Sequence, residues 1–206
     1  MLRGVYAITD SHLMPTDELL LTKVEAALKG GAKIIQYRDK SNDTQKKIRQ
    51  ARALINLCCH YNVPLIINDD VELAVNSNAN GVHLGQQDSS LAYTRKYLGA
   101  QKIIGITCHS SLTLAKQAEQ DGADYVAFGA CFASPTKPNA QRVSCETLIN
   151  AKKELRIPVV AIGGINSDNA PSIIQTGVDM IAVVSALFGY DDVFECTQQL
   201  VDLFRK

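Results

Sequence analysis

Three cations and two carboxylates stand just after short apolar runs in this 206-residue chain, and their types suit anion chemistry. Arg38 and Lys40 follow one run, in Gln36-Tyr37-Arg38-Asp39-Lys40, and Lys137 closes Ser134-Pro135-Thr136-Lys137. Arg grips phosphate oxygens with a bidentate fork, Lys as a point charge. Asp69, in Asn68-Asp69-Asp70, and Asp88, in Gly85-Gln86-Gln87-Asp88, follow two successive runs. Two carboxylates at one rim suit a hard cation such as Mg²⁺, which keeps several waters and is shared with substrate phosphates. Asp also caps the helix that follows a strand. By spacing alone the two roles are balanced, with Asp70 as the capping candidate and Asp69 as the ligand candidate. Arg38 and Lys40 serve either an anion or an ion pair with Asp39 or a neighbouring strand-end carboxylate.

Gly163-Gly164 and Val184-Ser185 follow the last two runs. Glycines let backbone N–H groups approach an anion, and a helix N-terminus adds a favourable dipole. This pair points to one phosphate monoester. Three cations and a Mg²⁺ exceed what one monoester needs, so a second, more highly charged group is expected, most simply a pyrophosphate. His83, in Gly81-Val82-His83-Leu84-Gly85, is either a satisfied core histidine or a pocket-lining residue. Thr107-Cys108-His109 ends another run. No Ser-His-Asp or Cys-His arrangement stands out, because Cys108 and His109 are adjacent and would diverge on a strand. No G-x-G-x-x-G or Walker glycine pattern occurs, and no Lys sits inside a strand as in a Schiff-base aldolase.

The elements that must position these residues are eight short β-rich runs. They are Val5–Ile8, Lys33–Tyr37, Pro64–Ile67, Gly81–Leu84, Lys102–Ile106, Tyr125–Phe128, Pro158–Ile162 and Met180–Val184. Most are continuously apolar, the pattern of strands covered on both faces. Helical spacing lies between them, as in Leu20, Val24, Ala27 and Leu28 before Gly30-Gly31. The segments Val71–Asn78 and Ser89–Leu98 show it less clearly. Alternation repeated eight times fits a closed (β/α)8 barrel better than an open doubly wound sheet. The expectation is an α/β fold: one (β/α)8 TIM barrel over residues 1–206, with its chemistry at the carboxyl ends of the strands.

Composition narrows the partners. Lys+Arg and Asp+Glu are both 21, which argues against a broad electrostatic hold on nucleic acid or an anionic membrane. No apolar stretch approaches the ~20 residues of a membrane span, and the N-terminus has no signal-peptide pattern. The six cysteines show no CxxC or zinc-like spacing, so reduced thiols, mostly in the core, are expected in a cytoplasmic protein. An exposed apolar helix face is compatible with a homodimer.

The motifs together resemble the thiamine-phosphate synthase (thiamine-phosphate diphosphorylase) family over nearly the whole chain. They run from Tyr6-Ala7-Ile8-Thr9-Asp10 through Gln36-x-Arg38-x-Lys40, Asn68-Asp69, Gly81-Val82-His83-Leu84-Gly85-Gln86-x-Asp88 and Gly105-Ile106-Thr107-Cys108-His109. Pro135-Thr136-Lys137, Ala161-Ile162-Gly163-Gly164-Ile165 and Val184-Ser185-Ala186 complete the series. The resemblance implies a (β/α)8 barrel that joins 4-amino-2-methyl-5-hydroxymethylpyrimidine diphosphate to 4-methyl-5-(2-phosphoethyl)thiazole. It implies release of pyrophosphate, use of one Mg²⁺ per subunit, and a dissociative course through a pyrimidinylmethyl cation. It assigns Gln36, Tyr37, Arg38, Asp39, Lys40, Asn68, Thr107 and Lys137 to the pyrimidine diphosphate, with Arg38, Lys40, Lys137 and Thr107 as the catalytic groups. It gives Asp69 and Asp88 to Mg²⁺, and His83 to the pyrimidine pocket. Ser134, Pro135, Thr136, Gly164, Val184 and Ser185 would hold the thiazole phosphate.

Two positions depart from the family pattern. Thr107 stands where many members have Ser and keeps the hydroxyl; Ala133-Ser134 stands where Pro-Thr or Pro-Ser is common. Rival readings are a thiazole tautomerase, a non-catalytic thiazole-phosphate-binding barrel, and an isomerase of amino-acid biosynthesis. The cationic set with two Asp argues against the first two, and the missing strand-end acid/base pair weakly against the third.

Overall fold

The computed structural model of the chain describes residues 2–133 and 142–205. Its strands are Gly4–Ile8 (β1), Ile34–Tyr37 (β2), Leu65–Asn68 (β3), Gly81–Leu84 (β4), Ile103–Thr107 (β5), Tyr125–Gly129 (β6), Val159–Ile162 (β7) and Met180–Val183 (β8). All pair in parallel with their sequence neighbours, and β8 returns to β1, so the sheet is a closed barrel. The helices are Asp17–Lys29 (α1), Thr44–His60 (α2), Val71–Asn76 (α3), Leu91–Leu98 (α4), Leu112–Gln120 (α5), Cys145–Glu154 (α6), Ala170–Ile174 (α7), Ser185–Phe188 (α8) and Val193–Asp202 (α9). Both less distinct segments are helical, as α3 and α4. Among the described residues, no helix is long and apolar enough to cross a membrane.

Local chemistry sets these boundaries. Thr16, Asp43, Asp70, Ser90, Ser111 and Ser144 each accept a hydrogen bond from an N–H in the first turn of α1 to α6. Such caps satisfy donors that a helix start leaves orphaned. Pro64 and Pro158, expected as the first residues of strands, fall just outside β3 and β7; proline has no N–H to give the ladder. Asn68 and Thr107, expected just beyond strands, are paired within them, opposite His83 and Ala127. These two polar residues are therefore held by sheet backbone, while Arg38, Lys40, Asp69 and Asp88 lie just beyond strand ends.

Strand alternation divides the core in two. Val5, Ile35, Ile67, Val82, Ile104, Val126 and Ile181 face the helices in the larger cluster. Tyr6, Ile34, Ile66, Tyr125, Val160 and Met180 fill the barrel interior. Three of the six thiols, Cys58, Cys108 and Cys131, are in the core, Cys196 is half-buried, and Cys59 and Cys145 are exposed. The expectation that most cysteines pack inside is thus too strong. Burial pushes the three buried thiols up to about 12, far from a reactive thiolate.

The amino ends of the strands carry a repeated staple. Asn80, Asp124 and Asp179, each just before an even-numbered strand, accept from the backbone N–H of Leu65, Ile104 and Val159 at 2.9, 2.7 and 2.7 Å. Arg95 closes on Asp124 at 2.6 Å, and Lys152 on Asp179 at 2.6 Å. Asp124→Ala would strand the N–H of fully buried Ile104 and is expected to cost about 2 kcal/mol. Urea unfolding checks this. Asp124→Asn, which keeps an acceptor oxygen, should lose less.

Candidate active site

Residues two apart along each strand point into the barrel. Gln36, Asn68, His83 and Thr107 therefore line one cavity of about 680 Å³ at the carboxyl end, with Arg38 at its rim. A continuous hydrogen-bonded chain crosses its floor. The Gln36 amide Nε2 donates to the Tyr6 hydroxyl at 2.6 Å, which lies 2.8 Å from the Tyr125 hydroxyl. The Tyr125 hydroxyl is 2.9 Å from His83 Nδ1, and His83 Nε2 is 2.8 Å from Thr107 Oγ1. His83 is thus both satisfied and pocket-lining, so its two sequence readings merge. Gly105 makes the chain possible: a Cβ there would stand 1.9 Å from Cζ of Tyr125.

The carboxylates sit at the ends of β3 and β4. Asp70 Oδ1 caps α3 through Leu73 N–H at 2.8 Å. Asp69, with φ of 61°, turns out of that role. Its carboxylate contacts the Lys40 ammonium and accepts from Asn68 Nδ2 at 2.6 Å. Asp88 does not cap α4, whose cap is Ser90; it accepts from Gly85 N–H at 2.7 Å. Burial raises the Asp69 carboxyl, but the Lys40 ammonium more than offsets this, and the group stays below the usual carboxylate range. Burial raises Asp88, the Gly85 N–H draws it back, and the Asp69 charge lifts it again, leaving it above its ordinary value. Two carboxylates that repel in this way could hold a hard cation between them, beside the Lys40 ammonium.

Arg38 is fixed from β1. Its N–H donates to Thr9 Oγ1 at 2.9 Å, and its guanidinium lies 3.5 Å from Asp10 Oδ2. The ion-pair reading of Arg38 therefore holds at long range with Asp10, not Asp39. Opposite, Gly163 and Gly164 adopt φ of 105° and 63°. A Cβ at Gly164 would meet the Ala133 carbonyl oxygen at 2.5 Å. The loop after β6 can thus pack onto this turn, where Phe132 N–H donates to Gly163 O at 2.9 Å. Val184 and Ser185, at the start of α8, line the same end of the cavity. One cavity therefore joins Arg38 and Asn68 to the glycine turn, and Asn68 also lines the neighbouring hollow that Lys40 and Asp69 share.

A family model for thiamine monophosphate synthase matches residues 5–187. The chain belongs to this family. It is 50% identical over 204 residues to a thiamine-phosphate synthase of Thioalkalivibrio sulfidiphilus, covering 98% of this chain and 96% of the relative. It is 53% identical over 186 residues to a thiamine-phosphate synthase of Marinobacter nauticus, covering 90% and 83%. A solved thiamine phosphate pyrophosphorylase of Pyrococcus furiosus superposes with a TM-score of 0.88 at 36% identity, covering 98% and 95%.

Within this thiamine monophosphate synthase fold, the run from Gln36 to Lys40 splits by strand alternation. Gln36 and Arg38 reach the cavity. Tyr37 faces outward and donates to Gln50 Oε1 at 2.7 Å, while Asp39 pairs with Lys46 at 2.8 Å. Tyr37 and Asp39 line a side hollow of about 290 Å³, shared with Lys40, Asn68 and Asp69. The five residues that the resemblance assigns to the pyrimidine diphosphate thus lie on two adjoining hollows, which Asn68 joins. Ser134, Pro135, Thr136 and Lys137 lie outside the described residues. Sequence reasoning gave no role to Tyr6, Tyr125 or Asp10. The available signal was parity: Tyr6 and Tyr125 share the inward register of Gln36 and His83, and a buried phenol needs a partner.

Proposed function

We infer that this chain is a thiamine-phosphate synthase, a transferase that joins the hydroxymethylpyrimidine diphosphate to the thiazole phosphate and releases pyrophosphate. The observation that carries the assignment is a cavity lined at one end by Arg38 and Asn68 and at the other by the Gly163-Gly164 turn, with Asn68 bonded to Asp69 of the Lys40–Asp69–Asp88 cluster at the adjoining hollow. A pyrophosphate leaving group suits the first end and a phosphate monoester the second.

The donor set fits one Mg²⁺ held by Asp69 and Asp88. Both offer hard oxygen ligands, and among the described residues no third His, Cys, Asp or Glu joins them. That leaves positions for waters and diphosphate oxygens. When bound, Mg²⁺ supplies Lewis-acid stabilisation of the departing pyrophosphate. Arg38, Lys40 and Lys137 add fixed positive charge to the same group, and the Thr107 hydroxyl donates a hydrogen bond. Gln36, Asn68 and His83 orient the pyrimidine. Gly164, Val184 and Ser185, with Ser134, Pro135 and Thr136, hold the thiazole phosphate so that the ring nitrogen meets the methylene cation once the C–O bond has broken. The protein contributes orientation and electrostatics, and no protein nucleophile takes part. The balanced charge and unpaired thiols support a cytoplasmic enzyme without a nucleic-acid partner.

Purified protein mixed with both phosphorylated precursors and Mg²⁺ should release pyrophosphate and yield the coupled product by mass. EDTA-treated protein should be inactive and recover on adding Mg²⁺. A thiazole tautomerase or a binding barrel would release no pyrophosphate, and full activity without metal would remove the cation from the site.

A further inference from the structure

The chain of hydrogen bonds across the barrel floor has only one direction in which every buried proton is used. Gln36 donates to the Tyr6 oxygen at 2.6 Å. Tyr6 is 1% exposed, and the only other polar group recorded on its hydroxyl among the described residues is Tyr125. Were Tyr125 to donate to Tyr6, the Tyr6 proton would be stranded, a costly outcome in a buried site. Tyr6 must therefore donate to Tyr125. Tyr125, fully buried, must pass its own proton to His83 Nδ1. Nδ1 is then an acceptor, so Nε2 carries the ring proton and donates to Thr107 Oγ1. Among the described residues the Thr107 hydroxyl proton has no acceptor, and the residue lines the cavity.

We propose that Tyr6 and Tyr125 are positioning residues: their hydroxyls set a one-way relay from Gln36 to Thr107 that holds His83 as the Nε2–H tautomer. The Thr107 proton is thereby committed to an anion in the cavity, which on the function assigned above is the leaving diphosphate. Geometry keeps the relay in place. The Tyr6 and Tyr125 rings meet edge-on with centroids 5.9 Å apart, and the His83 ring lies within 17° of the Tyr125 plane. Burial pushes both phenols well above their ordinary value, so both keep the proton they hand on. At the other end the same relay locks the Gln36 amide, so one face of the cavity presents a fixed donor and acceptor pattern to the heteroaromatic substrate.

The test is the ¹⁵N spectrum of histidine-labelled protein, with the His83 signals assigned by their loss in His83→Gln. The wild type should show a pyridine-type Nδ1 and a pyrrole-type Nε2. Tyr125→Phe keeps the ring and removes the donated proton. It should mix the two tautomers and lower kcat about tenfold, with the KM for thiazole phosphate unchanged. Tyr6→Phe should leave the His83 signals as in the wild type, because Tyr125 still donates, and should raise the KM for the pyrimidine diphosphate through the freed Gln36 amide. A pyrrole-type Nδ1, alone or in a doubly protonated ring, in the wild type overturns the relay, whether or not the variants fold. Wild-type kcat in folded Tyr125→Phe overturns its positioning role. Failure of the assigned reaction reads out separately, as a wild-type protein with the expected tautomer that releases no pyrophosphate.

Discussion

Asp69→Asn is expected to lower kcat/KM about 10²–10³-fold, the usual scale for losing a leading electrostatic group. The choice of asparagine matters. Asp69 has φ of 61°, a left-handed conformation that Asn tolerates and that would strain most other residues. The variant therefore keeps the backbone and the side-chain shape while removing the charge. That charge is what the Lys40 ammonium and the Asn68 amide converge on, and it adds to burial in lifting Asp88 above its ordinary value. Without it, Lys40 loses its counter-ion, and the Mg²⁺ site proposed above would keep only Asp88. Lys137→Ala should fall by a comparable factor, about 10² or more, because it removes fixed charge from the same leaving group. Steady-state rates with saturating Mg²⁺ check both. Near-normal rates in the two variants would remove the leaving-group assignment.

Gly105→Ala should destabilise the protein by about 3 kcal/mol, at the upper end for overpacking a core. The added Cβ would stand 1.9 Å from Cζ of Tyr125. The ring has nowhere to retreat, since its hydroxyl bonds both Tyr6 and His83 and its side chain is fully buried. For a chain of this size that loss lowers Tm by roughly 6–12 °C, and calorimetry would read it directly. A wild-type Tm in Gly105→Ala would mean that the floor of the barrel is far more plastic than its packing indicates.

Much of this was legible from residue order. Eight apolar runs separated by helical spacing require a parallel sheet covered on both faces, and that number closes a barrel. The polar residues after the runs then fall at one rim. Residue type supplied the chemical expectation behind the proposed function: cations and carboxylates for a diphosphate, paired glycines for a monoester. The even choice at Asp69, between capping and metal, was open because either role places an Asp just after a strand. The backbone settles the capping half of it by bending Asp69 into the left-handed region and leaving Asp70 to cap α3.

What residue order determined was the architecture, the site's end of the barrel and the charge it gathers there, because periodicity and residue chemistry are local properties. What only the tertiary structure decided was which neighbours share a face and which partners meet. Gln36 and Tyr37 are adjacent, yet one bonds Tyr6 inside the barrel and the other bonds Gln50 on α2. Tyr6 and Tyr125 are 119 residues apart, yet their hydroxyls are 2.8 Å apart. Closure of the sheet brings them together, and closure is a property of all eight strands at once.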